Sequence, residues 1–177
     1  MEQMVFVVRK AVEDDIPQIQ NITKEAFGSY SRDAEIKITL PALCETYEII
    51  KNDVMSKLVL VAVCNGTVIG SVRIEIKPDK TGYLSRFGVS SSYQKNGVGK
   101  ILMNAVDEYM ETLGIRRLYL HTASRMFSLV RFYYGRGFYI ESTTTDRGYI
   151  RALFCKEYAS AHVNEQKEIS LQKCAVV

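Results

Sequence analysis

The sequence predicts an α/β (α+β) chain in which helices cover the faces of one mixed sheet. Two adjacent apolar runs, LVLVAVC and TVIGSVRIEIK, are joined by Asn65-Gly66, a dipeptide suited to the positive φ angles of a two-residue hairpin turn. Between positions 83 and 122, a strand pattern, a long amphipathic helix pattern and a second strand pattern follow one another. That order makes a crossover and hence a parallel pair. FYIESTTT and YIRALFCKEY then flank the turn DRG as a second hairpin. Antiparallel hairpins on either side of a parallel crossover require a mixed sheet with helices on its faces.

In chain order, VFVVRKA at positions 5–11 reads as a strand. EDDIPQIQNITKEAFG follows as a helix, with Asp14 or Asp15 available as its cap and Pro17 in the first turn, where a missing N–H loses little. Ile16, Ile19, Thr23 and Ala26 share one helical face, and Gly28 supplies a stop. In positions 32–56, Ile36, Leu40, Leu43, Tyr47 and Ile50 allow helical packing, and Pro41 divides the stretch into two short helices that form a wall around a site. The first hairpin runs from Leu58 through the return strand to Lys77, and PDKTG turns the chain again. YLSRFGVS is the next strand, with Gly88 placed for a bulge or for close approach by another molecule. The long helix carries Val98, Ile101, Leu102, Ala105, Val106, Tyr109, Met110 and Leu113 on a broad apolar stripe and ends at Gly114. IRRLYLHT is a strand and SRMFSLVRFYYGRG a helix before the terminal hairpin.

Composition bounds the function. The chain has 177 residues, 47% apolar and 24% charged, which suits one soluble domain with a substantial core. That domain is expected over residues 1–159, with 160–177 a polar extension, either flexible or docked. The formal charge of +3 is spread without a basic run. Arg116-Arg117 and the pair Lys95 and Lys100 are too sparse for a duplex-binding surface, so no nucleic-acid partner is expected. Cys44, Cys64, Cys155 and Cys174 are widely spaced, with neither CxxC nor a Cys/His zinc pattern, and no metal is expected. Isolated cysteines, an N-terminus interrupted early by charge, and no apolar run of about 20 residues together predict a reduced, cytoplasmic protein without a membrane segment.

YQKNGVGK, positions 93–100, places Gly97 and Gly99 at the entry to the long helix. Glycines there open the peptide N–H groups of a loop and a helix N-terminus to an anion such as a phosphate. They serve equally for a tight turn with close helix–sheet packing. The loop is neither the dinucleotide fingerprint GxGxxG nor a P-loop ending in GK[ST].

YLSRFGVSSSYQKNGVGKILMNAVDEYMETLG resembles the acyl-CoA binding segment of the GNAT superfamily of N-acetyltransferases, whose signature is Gln/Arg-x-x-Gly-x-Gly/Ala. Gln94, Gly97 and Gly99 satisfy it. Downstream, Phe132, Tyr133, Gly137 and Phe138 match the family's Phe-Tyr-x-x-x-Gly-Phe ending of the cofactor-flanking helix. The resemblance spans residues 5–156 and is strongest over 83–138. It implies a largely antiparallel sheet of six or seven strands, splayed at its parallel pair, flanked by about four helices, with acetyl-CoA as acyl donor entering the splay. It further implies that Gln94, Lys95, Asn96, Gly97, Val98, Gly99 and Lys100 cradle the pyrophosphate, while Phe87, Gly88 and Val89 hold pantetheine and stabilise the oxyanion. Two positions depart from the pattern. Ser91 stands where the family often has Pro, and Met126, which opens the cofactor-flanking helix, stands where it often has Asn and offers pantetheine no side-chain amide.

The same resemblance places the Tyr133 phenol near the CoA sulfur as a general acid, against the alternative of aromatic packing within Phe132-Tyr133-Tyr134. Glu75, on the polar phase of VRIEI, is a candidate base, and Tyr83 an acceptor-site residue; exposure and packing are their alternative roles. His121 reads more simply as a satisfied sheet histidine, Arg86 as solvent-facing, Asp107 and Glu111 as helix surface, and Cys64 and Cys155 as small packers. The expected activity is direct transfer of acetyl to a primary amine, a small molecule being favoured. A protein or peptide amine and a non-catalytic acyl-CoA-binding regulator of the same fold are the alternatives. Tyr30, Tyr47 and the turn Asp146-Arg147-Gly148 border the expected acceptor side, and a C-terminal strand is available for pairing in a homodimer.

Overall fold

The structure, a computed structural model, describes residues 5–159. The expected extension 160–177, with His162 and Cys174, lies outside the described residues. The elements are β1 (Phe6–Lys10), α1 (Ile16–Asp33), α2 (Tyr47–Ser56), β2 (Leu58–Cys64), β3 (Thr67–Ile76), β4 (Thr81–Val89), α3 (Val98–Thr112), β5 (Arg117–Ala123), α4 (Phe127–Tyr134), β6 (Tyr139–Thr144) and β7 (Arg151–Glu157). Seven strands form one sheet in the order β1-β2-β3-β4-β5-β7-β6. Only β4 and β5 run parallel; every other neighbouring pair is antiparallel. Asn65 and Gly66, at φ 48° and 78°, close the β2–β3 hairpin as the dipeptide predicts.

Strand alternation divides the core between the two faces. On one, Leu60, Val72, Ile74, Leu84 and Leu118 pack against Leu102, Met103, Val106 and Met110 of α3. Burying each of these side chains contributes about 2 kcal/mol relative to leaving it in water. On the other, Val59, Val61 and Val68 meet Ile16, Ile19 and Ile22 of α1 and Ile50 of α2. A third cluster joins Ala34, Ile36 and Leu40 to Ala123 at the end of β5, with Phe27, Tyr30, Met126 and Tyr149 around it.

Three local expectations change. First, α1 runs through Gly28 to Asp33. A mid-helix glycine costs about 1 kcal/mol relative to alanine, and the turn after it is anchored by Tyr30, whose hydroxyl accepts from the Ala123 N–H at 2.6 Å. The helix stops at Glu35, which takes φ 53° while Ile36 N–H donates to Ser31 O and Glu35 N–H to Arg32 O, a Schellman closure. Second, Asp15 does not cap α1. Its carboxylate accepts from Val12 N–H at 2.8 Å and from both terminal nitrogens of Arg9 at 2.6 and 2.9 Å, which ties α1 back to β1. The Arg9 bonds hold the carboxyl below its ordinary range. Third, Pro41 starts a single 3-10 turn, Pro41–Cys44, and only one helix follows, capped by Thr46, whose Oγ1 accepts from Ile49 N–H at 3.4 Å. No helix among the described residues is long and apolar enough to cross a membrane.

Candidate active site

β4 and β5 pair at only three positions, Thr81 with Arg117, Gly82 with Leu118 and Tyr83 with Tyr119. Beyond Tyr83 the two strands part. On its other edge, β4 carries a bulge: Ser71 opposes Gly88 and Arg73 opposes Ser85, so Arg86 and Phe87 together face one residue of β3. Arg86 takes φ 53°, a left-handed conformation that costs a non-glycine residue about 1 kcal/mol. Its side chain is tied down in compensation, donating from Nε to Glu45 Oε1 at 2.7 Å above the Phe27 ring. Of the two readings of Gly88, a bulge or close approach by another molecule, the bulge falls instead at Arg86 and Phe87. A Cβ on Gly88 would stand 3.0 Å from Ala26 Cβ, so the close approach it permits is that of α1.

A cleft of about 800 Å³ fills the gap between the parted strands. Gly97, Gly99, Phe132 and Tyr133 line it from the side of α3 and α4, and Tyr30, Tyr83, His121 and Arg151 from the side of α1. The opening therefore joins the two faces of the sheet.

At the first side, residues 94–97 turn into α3. Gln94 closes the turn by donating from Nε2 to Val89 O at 3.4 Å, and Ser91 N–H donates to Glu25 Oε1 at 2.9 Å, pinning the loop to α1. Gly97 is the residue before the helix, at φ 78°, and offers no side-chain cap, so the N–H groups at the start of α3 have no intrahelical partner. A Cβ on Gly97 would meet nothing within 4 Å, leaving open space above those donors. Gly99 is different: its Cβ would lie 3.1 Å from Phe87 Cζ. The second glycine thus makes room for the Phe87 ring, which stacks on Phe132 at 5.7 Å. Lys95 and Lys100 are exposed on the same side. Phe87, Gly88, Val89, Gln94, Lys95, Gly97, Val98, Gly99, Lys100 and Met126 all border the cleft; Asn96 does not.

Tyr133 is a packing residue that also reaches the cleft. Its ring packs against Phe87, Phe132, Phe138 and Phe154, and it also borders the cleft. Burial pushes its pKa far above the ordinary phenol value, so the hydroxyl keeps its proton throughout the physiological range.

Across the gap, Tyr83 and His121 meet. The Tyr83 hydroxyl lies 2.9 Å from His121 Nδ1, and with the imidazole proton on Nε2 the phenol donates to Nδ1. Burial, reinforced by the charges of Arg151 and Arg147, lowers the His121 pKa. Glu75 opposes Tyr83 across β3 and β4, is exposed, and borders the cleft.

The sequence underrated three residues, His121, Arg86 and Asp107, and passed over a fourth, Arg73. His121 is a cleft residue; the signal was its phase, two residues beyond Tyr119, which aligns with Tyr83. Arg73, on the same phase as Glu75, is fully buried. Its Nη1 and Nη2 donate to Glu45 at 3.1 and 2.8 Å, and Nη1 also to Asp53 at 2.8 Å. Arg86 joins this network instead of facing solvent. Asp107, read as plain helix surface, accepts from Arg136, Lys156 and Tyr158, fastening α3 to the end of β7 and the turn after α4. Tyr47 lies away from the cleft and donates to Glu13 at 3.1 Å.

The sequence model of the Acetyltransferase (GNAT) family matches residues 16–138. Among curated proteins, no sequence matches the chain significantly. Solved structures do. The PaiA N-acetyltransferase of Thermoplasma acidophilum, in complex with coenzyme A, superposes with a TM-score of 0.77 at 22% identity over 88% of this chain and 100% of that one. The ribosomal-protein-S18-alanine N-acetyltransferase of Escherichia coli gives 0.71 at 16% over 89% and 96%. A GNAT-family acetyltransferase of Streptococcus pneumoniae gives 0.66 at 22% over 88% and 100%. At these identities the likeness is one of fold.

Proposed function

This chain belongs to the acetyltransferase (GNAT) family, whose acyl donor is acetyl-CoA, and we propose that it transfers the acetyl group directly to a primary amine of a small molecule. One observation carries the reading: the cleft between β4 and β5 connects an uncapped helix N-terminus on one face to a hydrogen-bonded Tyr–His pair on the other. The first end suits a diphosphate. It offers unpaired peptide donors, open space over Gly97, a favourable helix field and two exposed lysines. The second end suits an amine that must lose a proton.

Acetyl-CoA supplies an activated thioester when bound, and the protein's part is to align, polarise and move protons. The bulge at Arg86 and Phe87 takes peptide groups of β4 out of the ladder, and an N–H from Phe87 to Val89 is the donor for the developing negative oxygen. His121, neutral at pH 7 because its pKa is depressed, accepts the amine proton through the Tyr83 hydroxyl, which takes that proton as it passes its own to Nδ1. Glu75, exposed across from Tyr83, attracts the incoming ammonium. As the new C–N bond forms and the C–S bond breaks, the Tyr133 hydroxyl gives its proton to the departing thiolate and is restored by the second proton that the nitrogen sheds on becoming an amide. Proximity between the two substrates accounts for much of the remaining acceleration.

The test is release of free thiol from acetyl-CoA in the presence of a panel of small amines, paired with the matching mass gain of the amine. Thiol release without acceptor mass gain would reduce the reading to hydrolysis, and binding of CoA with neither would make the protein a non-catalytic binder.

A further inference from the structure

The acceptor end of the cleft carries two guanidinium groups for which proton transfer has no use. Arg151 of β7 opposes Ala123, and His121 opposes Leu153, so Arg151 and His121 lie on one face of the sheet. Along the strands, one pleat repeat of about 7 Å separates their rows. Arg151 is 6% exposed and borders the cleft. Its Nη2 donates to both Asp146 oxygens, at 2.7 and 2.9 Å, and its Nε has no hydrogen-bond partner. Arg147, in the turn between β6 and β7, is exposed, borders the same cleft and forms no ion pair among the described residues. Both charges are felt at His121 and Tyr83.

On this face the chemistry changes sign across the sheet. Glu75 stands on β3, Tyr83 on β4, His121 on β5 and Arg151 on β7. An acid marks one side of the proton-accepting pair and two guanidiniums the other. Asp33, at the end of α1, is a further acid of the lining, while Asp53 is already engaged by Arg73 and Lys57. A buried guanidinium with an idle N–H is costly unless a ligand completes its bonds, and its planar fork matches a carboxylate.

We propose that the acceptor is an amine that also bears a carboxylate, an amino-acid-like zwitterion whose ammonium enters between Glu75 and the Tyr83–His121 pair and whose carboxylate binds Arg147 and Arg151. This rests on the reading of the chain as an acetyltransferase of small amines. A polycation is repelled by the same arrangement, and an amine without an anionic group leaves the guanidiniums unfilled.

The experiment compares leucine, leucinamide, isopentylamine and spermidine as acceptors for the full chain, reading thiol release and product mass. Leucine is expected to exceed leucinamide in kcat/KM by ~10-fold or more, the worth of one charge-assisted pair. Arg147→Gln, at an exposed position, is expected to raise KM for leucine and to shrink the leucine-to-leucinamide ratio to within ~3-fold. Arg151→Lys, which keeps the charge and loses the fork, is expected to move the same ratio in the same direction. Equal use of leucine and leucinamide, or preference for spermidine, overturns the carboxylate assignment while leaving acetyl transfer standing. An Arg147→Gln effect that is the same for every amine also overturns it. Acetylation of none of the four amines, with CoA still raising the melting temperature, rejects acetyl transfer to small amines and this assignment with it.

Discussion

Glu45 holds the fully buried guanidinium of Arg73 with both carboxylate oxygens, at 3.1 and 2.8 Å. The same carboxylate accepts from Arg86, the left-handed residue of the β4 bulge. One acid from the loop before α2 therefore fixes an interior cation and the geometry of the strand that borders the cleft.

Glu45→Ala leaves Arg73 buried with Asp53 as its remaining anion. Removing one partner of such a pair costs about 3 to 5 kcal/mol, measured as a fall in the urea midpoint with unchanged slope. The pair change Glu45→Leu with Arg73→Met is expected to restore most of that loss, because the fully buried charge is gone and Asp53 keeps Lys57 as its partner. A Glu45→Ala protein within 1 kcal/mol of the parent would mean that water or Asp53 already satisfies Arg73.

Gly97 and Gly99 are expected to fail differently. Gly97→Ala forces a side chain into a left-handed conformation at a cost of about 1 kcal/mol but meets no atom, so CoA weakens modestly. Gly99→Val drives into Phe87, unstacks it from Phe132 and reshapes the cleft wall. Its CoA affinity, by calorimetry, is expected to fall by ~10-fold more than that of Gly97→Ala, since a misplaced aromatic wall is worth a kcal/mol or more. Equal losses would show that both positions act through the loop alone.

Tyr133→Phe preserves the aromatic packing and removes only the acid. A drop of ~100-fold in kcat with KM for acetyl-CoA within ~2-fold is expected. A thiol of lower pKa as leaving group should recover part of the rate, because its thiolate needs less help from a proton donor.

His121 predicts the acid limb of the pH profile. Its pKa lies below the ordinary 6.5, burial being the main cause, so the neutral, proton-accepting form dominates at pH 7, and kcat/KM is expected to fall only as pH drops below that value. Stability follows the same sign. The unfolded chain protonates His121 more readily than the folded one, so the folded state is favoured fully above about 6.5 and loses that increment as pH falls. His121→Asn and Tyr83→Phe should each remove the limb and lower the plateau.

Local pattern made much of this molecule readable. The Asn65-Gly66 hairpin, the apolar stripe of α3 and the strand–helix–strand crossover each state their geometry within one continuous stretch of sequence, and the Gln94, Gly97 and Gly99 spacing marks the mouth of the cleft. What stayed hidden depends on contacts between distant segments. Nothing in VRIEI marks Arg73, which shares the polar phase of Glu75, as buried; only the loop carrying Glu45, 28 residues earlier, makes its burial tolerable. Gly28 reads as a helix end because nothing nearby announces that Tyr30 will reach Ala123, 93 residues on. His121 becomes a partner of Tyr83 only once the register of the parallel pair is fixed.

Three residue pairs are all that unite strands β1 to β4 with the β5 to β7 block along the hydrogen-bonded seam. A molecule seated between them acts as a clasp on both blocks, and whatever it gains on binding adds to the resistance of the whole chain against unfolding, ~2.7 kcal/mol at a hundredfold excess over its Kd. Without that clasp the seam is the natural place for the sheet to open, and amide exchange along β4 and β5 beyond Tyr83 should slow most when CoA is added.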